Sequence, residues 1–234
     1  MTGPALLVLP VGLPWALAAV LALLDGRRGW VGWVAASGLA ASFASVVVLG
    51  LRVLREGPVE VVAGGWPAGV GIVLRADALG VVFAGVSIGV LLVSLIHELF
   101  GDGVRSRTFP TLILFMAAGL SGLFLTGDVF NFYVFFEISM TAAYVLTGYR
   151  EQDYQVRGAF IFAIVNLLGS VVFLIAIAAL YHVTGTLEMQ AIAERVRDVN
   201  PNSLIVIAAA IFVAFSLKLG LFPFHFWLPA VYVG

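Results

Sequence analysis

Apolar residues run along this chain in seven long blocks joined by polar segments. The blocks are approximately 5–24, 30–51, 78–96, 109–126, 129–147, 158–181 and 204–222. About 20 consecutive apolar residues in a helix bridge the ~30 Å hydrocarbon core of a bilayer. Lipid offers no partner for a backbone N–H or C=O, so spanning segments must bond internally. The alternating ten-residue pattern of a membrane barrel is absent, which leaves helices. Small residues recur inside the blocks, as with Gly32, Ala35, Ala36, Gly38, Ala40 and Ala41 in the second. Such residues let helix backbones approach closely.

Most joints are short. The exception is 52–77, where two β-favouring runs, 59–62 and 70–74, flank Gly64, Gly65, Pro67 and Gly69. That pattern predicts a small hairpin outside the membrane at 58–77. Residues 186–199 are polar on one face, and Leu187, Ile192 and Val196 would let them lie on the membrane as an interfacial helix. The first block lacks a basic leader and a clear small-residue cleavage site, so it reads as a retained span rather than a signal peptide. Arg27, Arg28, Arg105, Arg107, Arg150 and Arg157 against Arg52, Arg55, Arg75, Arg195 and Arg197 lean weakly to an outside N-terminus.

Composition sharpens the picture. Hydrophobic residues make up 62% of the 234 and charged residues 11%, and the mean hydropathy is +1.11. Soluble domains carry about 25% charged residues, so the bilayer is the solvent here. A net charge of −1 favours no nucleic-acid partner, and the absence of cysteine excludes disulfides and thiolate metal sites.

The few charges therefore stand out. Eleven of the twelve basic residues are arginines in or near the joints, and the twelfth is Lys218. It lies within 199–234, where His225 is the only other side chain that ionises near neutral pH. At 1.5 Å per residue from Leu204, Lys218 is about 21 Å along its block, and Glu137 is about 12 Å into the fifth. A charge at such depth costs ~2.5–3.5 kcal/mol on insertion scales. Each therefore needs a partner, water or neutralisation. A charged group whose partner can approach or leave can also change protonation state, which a proton relay requires. The competing reading is a purely structural ion pair between helices.

The surroundings add candidates. Tyr133, Glu137, Thr141 and Tyr144 recur at helical spacing and form a polar stripe that could hold water. Asn166 and Ser170 form a shorter stripe, read as helix packing. In the seventh block, KLGLFPFHFWLP places Gly220 and Pro223 just after Lys218, so the helix should kink or break. Broken helices at membrane depth line protein or water and often mark ion sites. His225 follows the break and can titrate near neutral pH, and Trp227 reads as an interfacial anchor. Asp128 precedes the fifth block, where it suits helix capping or an ion-entry role.

Two stretches, TGDVFNFYVFFEISMTAAYVLTGY (126–149) and LKLGLFPFHFWLPAVY (217–232), resemble the proton-conducting antiporter-like subunits. These include Mrp-type sodium/proton antiporter subunits, above all the D-type subunit, and the membrane-arm subunits of complex I. Membrane-bound hydrogenases carry similar subunits. GGWPAGVGIVLRAD (64–77) and YHVTGTLEM (181–189) resemble the D-type subunit as well. The resemblance covers nearly the whole chain but only the first half of a typical member, whose fold has about fourteen helices in two inverted repeats. It implies an all-α integral membrane protein with about seven transmembrane helices, a small extramembrane β-hairpin, and a partial antiporter-like fold with a broken seventh helix. Residues 1–108 would hold helices 1–3 and the hairpin, and 109–234 an incomplete first repeat of helices 4–7.

By position, Glu137 matches the family's essential glutamate and Lys218 its broken-helix lysine. His225, Tyr144, Thr141 and Asp128 are the secondary candidates for proton transfer. The later relay residues have no counterpart, so the chain is expected to be a fragment, a split subunit completed by another chain, or a truncated product. The implied function is a subunit of a multisubunit monovalent cation/proton antiporter in a prokaryotic plasma membrane. It would act as a transporter rather than an enzyme, without cofactor or metal, with other subunits, protons and sodium as its partners. The alternative is the proton-pumping membrane subunit of a complex I-like or hydrogenase redox complex. A structural scaffold that carries no proton is the third reading.

Overall fold

A computed structural model describes residues 3–62, 71–101, 106–150 and 152–232. The helices are α1 (Gly3–Leu21), α2 (Gly29–Glu56), α3 (Ala78–Phe100), α4 (Phe109–Phe124), α5 (Val129–Thr147), α6 (Asp153–Thr184), α7 (Met189–Arg195), α8 (Pro201–Leu219) and α9 (Leu228–Tyr232). Between α2 and α3 lie two strands, β1 (Val59–Val62) and β2 (Val73–Ala76). Five helices, α2, α3, α5, α6 and α8, are long and apolar enough to cross a membrane. The first and fourth blocks also form apolar helices, described over shorter lengths, Ala5–Leu21 and Phe109–Phe124.

The helices pack in a chain of neighbours. α1 lies against α2 and α4, and α3 against the same two. Their inward residues, among them Leu7, Leu39, Leu49, Ile88, Leu95 and Leu114, make the larger core. From this block α5 packs on α4, α6 on α5, and α8 on α6. A smaller core of Phe173, Ile177 and Ala214 joins α6 to α8, with Phe132, Tyr133 and Phe215 around it. Outward faces stay apolar, with Leu167, Leu168, Val171 and Ile175 exposed on α6 and Ile205, Val206 and Phe212 on α8. Contiguous surfaces of this kind suit lipid or partner helices rather than water.

The hairpin is antiparallel, with Val59 opposite Ala76 and Val62 opposite Val73. Its second strand starts at Val73, later than the 70–74 run read from the sequence. The glycines and proline of that reading (Gly64, Gly65, Pro67 and Gly69) lie outside the described residues. β2 also pairs sideways with the α4–α5 joint. The Arg75 N–H donates to the Leu125 carbonyl at 2.9 Å, and the Gly127 N–H to Val73 at 2.9 Å. That joint in turn pairs with the segment before α7, through Val129 to Leu187 and Met189 to Gly127, both at 2.9 Å. Stretches from three separate motifs are thus stitched into one layer at one end of the bundle. Leu187 consequently packs against the smaller core, where the sequence had it resting on the membrane. The helix in that segment is also shorter than 186–199. It runs from Met189 to Arg195 and tightens into a 3-10 turn over Val196–Asp198.

The seventh span breaks as expected, but earlier than Pro223. α8 ends at Leu219, and Gly220 turns left-handed at φ 62°. The Leu221 N–H bonds Ser216 at 3.0 Å and the Gly220 N–H bonds Leu217 at 3.3 Å, the paired closure of a Schellman end. Gly220 is free to take this positive φ, which a side-chained residue adopts at a penalty. A proline three residues on cannot continue a helix, so the stop falls upstream of it. Residues His225–Trp227 then form a 3-10 turn that leads into α9.

Candidate functional site

Glu137 is the ninth of the nineteen residues of α5, at mid-helix. Lys218 is the penultimate residue of α8, so it lies in the last turn rather than near mid-helix. A cation there faces the unpaired carbonyls at the helix C-terminus, whose partial negative charge favours it.

The two charges meet. Lys218 Nζ donates to Glu137 Oε1 at 3.0 Å. The lysine side chain is 2% exposed and the glutamate 25%. The other ion pairs among the described residues, Arg52–Glu56 and Arg75–Glu60, are considerably more exposed. Helix α6 lies between α5 and α8, and its Ser170 completes the contact. Ser170 Oγ accepts from Lys218 Nζ at 2.7 Å and donates to Glu137 Oε1 at 2.5 Å. The Phe136 ring sits below the ammonium, 4.3 Å from centroid to Nζ, a distance at which a ring face attracts a cation.

The close approach of α6 and α8 depends on Gly169. A Cβ there would stand 3.3 Å from both the Ala214 carbonyl oxygen and Lys218 Cγ. The break is pinned from the far side by Trp227, whose Nε1 donates to the Leu217 carbonyl at 3.1 Å. Its ring stacks on Phe162 of α6 at 4.9 Å. Trp227 is only 4% exposed, so it clamps the broken helix and is not an interfacial anchor.

The remaining candidates lie apart from the pair. The Thr141 hydroxyl is exposed and donates to the Glu137 main-chain carbonyl at 2.8 Å, not to its carboxylate. Tyr144 packs edge-on against Phe162 at 4.9 Å, and its hydroxyl has no hydrogen-bond partner among the described residues. Tyr133 packs on Phe173. The polar stripe on α5 thus makes no continuous hydrogen-bonded line. His225 is exposed and stacks on Phe222 at 5.8 Å. Asp128 caps α5, with Oδ1 accepting the Asn131 N–H at 2.7 Å. Burial pushes the Asp128 carboxyl up, opposed by the Asn131 and Phe130 N–H groups.

The sequence pattern assigned Ser170 to packing and gave Phe136 and Gly169 no role. Ser170 was detectable as a hydroxyl one turn beyond Asn166, but nothing in the sequence shows that α6 separates the two charged helices. Phe136 is one of eighteen phenylalanines, and only the fold marks it as the ring under the ammonium.

This geometry can be compared with known proteins. Residues 126–234, which hold Glu137, Ser170 and Lys218, match the family described as NADH:quinone oxidoreductase/Mrp antiporter, TM. The chain is 31% identical over 233 residues to the D-type subunit of the Na(+)/H(+) antiporter of Alkalihalophilus pseudofirmus, a match covering 98% of this chain and 47% of that protein. In the structure of the Mrp complex from Dietzia sp., a chain superposes with a TM-score of 0.88 at 28% identity. That match covers 99% of this chain and 44% of the Dietzia chain. The archaeal membrane-bound sulfane sulfur reductase, a respiratory membrane complex, shares the fold, with a TM-score of 0.82 at 24% identity over 98% of this chain and 47% of that one. The likeness to the D-type antiporter subunits extends along essentially the whole chain, which spans about half the length of the curated relatives it matches. The protein is a multi-pass membrane protein with the fold of Mrp and complex I membrane subunits.

Proposed function

We propose that this chain forms part of a subunit of a multisubunit monovalent cation/proton antiporter in a prokaryotic plasma membrane, and that Glu137 and Lys218 are its proton-carrying pair. The observation that carries this reading is the 3.0 Å bond between a buried ammonium and a carboxylate on different helices. The partners are the other subunits of such a complex. The chain is a transporter component, not a catalytic one. Asp128, Thr141, Tyr144 and His225 make no hydrogen bond to the charged atoms of the pair and take no part in the step proposed here.

The cycle follows from the electrostatics of a poorly solvated site. With the helices together, Glu137 stabilises the charged lysine. When they separate, the ammonium loses its counter-ion where water cannot replace it, and release of the proton becomes favourable. Lys218 is suited to this motion because it sits at the end of α8, beside a break where the helix can bend.

Glu137→Gln and Lys218→Ala, each in the assembled complex in inside-out vesicles, should abolish cation/proton exchange while the subunits still co-purify. Wild-type exchange in both would refute the reading. The redox-complex alternative draws on the family description and on the fold shared with the archaeal respiratory complex. Exchange driven by an imposed ion gradient, without any electron donor, favours the antiporter. A strict need for a donor and quinone favours the alternative.

A further inference from the structure

We propose that Ser170 relays the proton between Lys218 and Glu137, and that it does so as a two-position hydroxyl. The proposal rests on the pair being a proton-carrying site. Ser170 is 1% exposed on the helix between the two charged ones. Its Oγ lies 2.7 Å from Lys218 Nζ, 2.5 Å from Glu137 Oε1 and 2.9 Å from the Asn166 carbonyl oxygen.

A hydroxyl has one proton to donate and two lone pairs to accept with. Ser170 accepts from the lysine, so its own proton can go to one of two acceptors. While Glu137 is ionised, the carboxylate wins, because a hydrogen bond to a charged acceptor is about twice as strong as a neutral one. Once Glu137 is protonated that advantage is gone, and the hydroxyl can turn to the Asn166 carbonyl, the usual back-bond of a helical serine.

The relay step balances without any outside reagent. One N–H bond of the Lys218 ammonium breaks as an O–H bond forms on Ser170. The original Ser170 O–H bond breaks as an O–H bond forms on Glu137 Oε1. Ammonium, hydroxyl and carboxylate become amine, hydroxyl and carboxylic acid, and the reverse step restores them. Both legs, at 2.7 and 2.5 Å, are shorter than the 3.0 Å direct contact between the charges. A small separation of α5 from α8 that breaks the direct contact can still leave the serine within reach of both partners. The serine then decides how far the pair can open before transfer stops.

The test uses the complete complex in inside-out vesicles and reads exchange rate against pH. Ser170→Ala should slow exchange roughly tenfold to a hundredfold, at or below the low end of what a positioned proton-transferring group supplies, and should shift the pH profile. Thr and Val have nearly the same shape, so Ser170→Thr and Ser170→Val isolate the hydroxyl and decide the matter should Ala disturb assembly. Thr should retain most of the rate and the wild-type profile, while Val should behave like Ala. Wild-type kinetics in Ser170→Ala, or equal rates for Thr and Val, would overturn the relay. The parent reading fails separately. Normal exchange in Glu137→Gln removes the pair's role, whereas loss in Glu137→Gln with normal Ser170→Val removes only the serine's.

Discussion

Removing the two partners of the buried pair should have unequal consequences. In Glu137→Gln the ammonium stays in place with its side chain 2% exposed. Breaking a buried pair by deleting one partner typically costs 3–5 kcal/mol, because a charge is left uncompensated. Two contacts survive: the Ser170 hydroxyl at 2.7 Å and the Phe136 ring at 4.3 Å. A desolvated cation–π contact is worth about 2 kcal/mol, and a lysine left alone can shed its proton. The expected loss is therefore near the low end, about 3 kcal/mol. In Lys218→Met the orphan is Glu137, whose side chain is 25% exposed and can take up a proton to become neutral. That loss should be smaller, about 1–2 kcal/mol. The double variant Glu137→Gln/Lys218→Met removes both charges and should recover most of the stability, since an apolar replacement of a buried pair is often neutral. Thermal unfolding of the purified complex, followed by a thiol-independent dye, gives the order of the four proteins. Exchange in vesicles is measured on the same preparations. The expected pattern is a stable but inactive double variant and a Glu137→Gln variant less stable than Lys218→Met. A stable and active double variant would refute the proton-carrying role. Equal midpoints for the two single variants would refute the assigned asymmetry of burial.

Further outcomes are expected from the neighbouring residues. Trp227→Phe keeps the stacking on Phe162 but removes the donor to the Leu217 carbonyl, and should destabilise the complex by about 1 kcal/mol in thermal unfolding. Gly169→Val should force α6 from α8 and sharply reduce exchange, while Gly169→Ala, with its Cβ at 3.3 Å from its neighbours, should be milder in the same vesicle assay. Asp128→Asn should preserve the α5 cap and exchange, whereas Asp128→Ala should cost about 1 kcal/mol. Because burial raises the Asp128 carboxyl in the folded state, its contribution to stability is fully present below its unfolded value and lost as pH rises through the folded one. Unfolding midpoints of wild type and Asp128→Asn measured across that range should diverge as pH increases, with the Asn variant favoured.

Much of this was legible because lipid makes the rules strict. Seven apolar blocks foretold the helices because an unbonded backbone has no alternative in a bilayer. Glu137 and Lys218 were conspicuous because so few charges occur in those blocks. The break after Lys218 could be foreseen from Gly220 and Pro223, although the glycine, able to turn left-handed, set the stop three residues before the proline. What stayed hidden depends on which helix faces which. Tyr133, Thr141 and Tyr144 share a periodic stripe with Glu137, yet Thr141 turns its hydroxyl back to its own helix and the tyrosines face rings. Trp227 looks like an interfacial residue by type, and only the fold brings it under the end of α8.

The placement of α6 between the charged helices also explains why the pair can be both stable and movable. If α5 and α8 packed directly, their charges would be held by the full interface between them, and separation would mean opening that interface. Here α5 and α8 pack mainly on α6, whose Phe173 holds the rings of Phe132 and Phe215 together. Beside the charges the shared cushion narrows to a glycine that admits the lysine stem and a serine that touches both charges. The end of α8 can therefore shift relative to α5 while the bulk of each helix keeps its place. That motion would draw on the break at Gly220, which the Trp227 hydrogen bond and its stack on Phe162 brace. Disturbing the break should then suppress exchange without touching any charge. Gly220→Ala tests this, since an added Cβ would meet Leu228 at 2.7 Å and resist the left-handed turn. Exchange should fall while Glu137 and Lys218 remain intact, and an unchanged rate in a correctly assembled complex would show that the break is not the moving part.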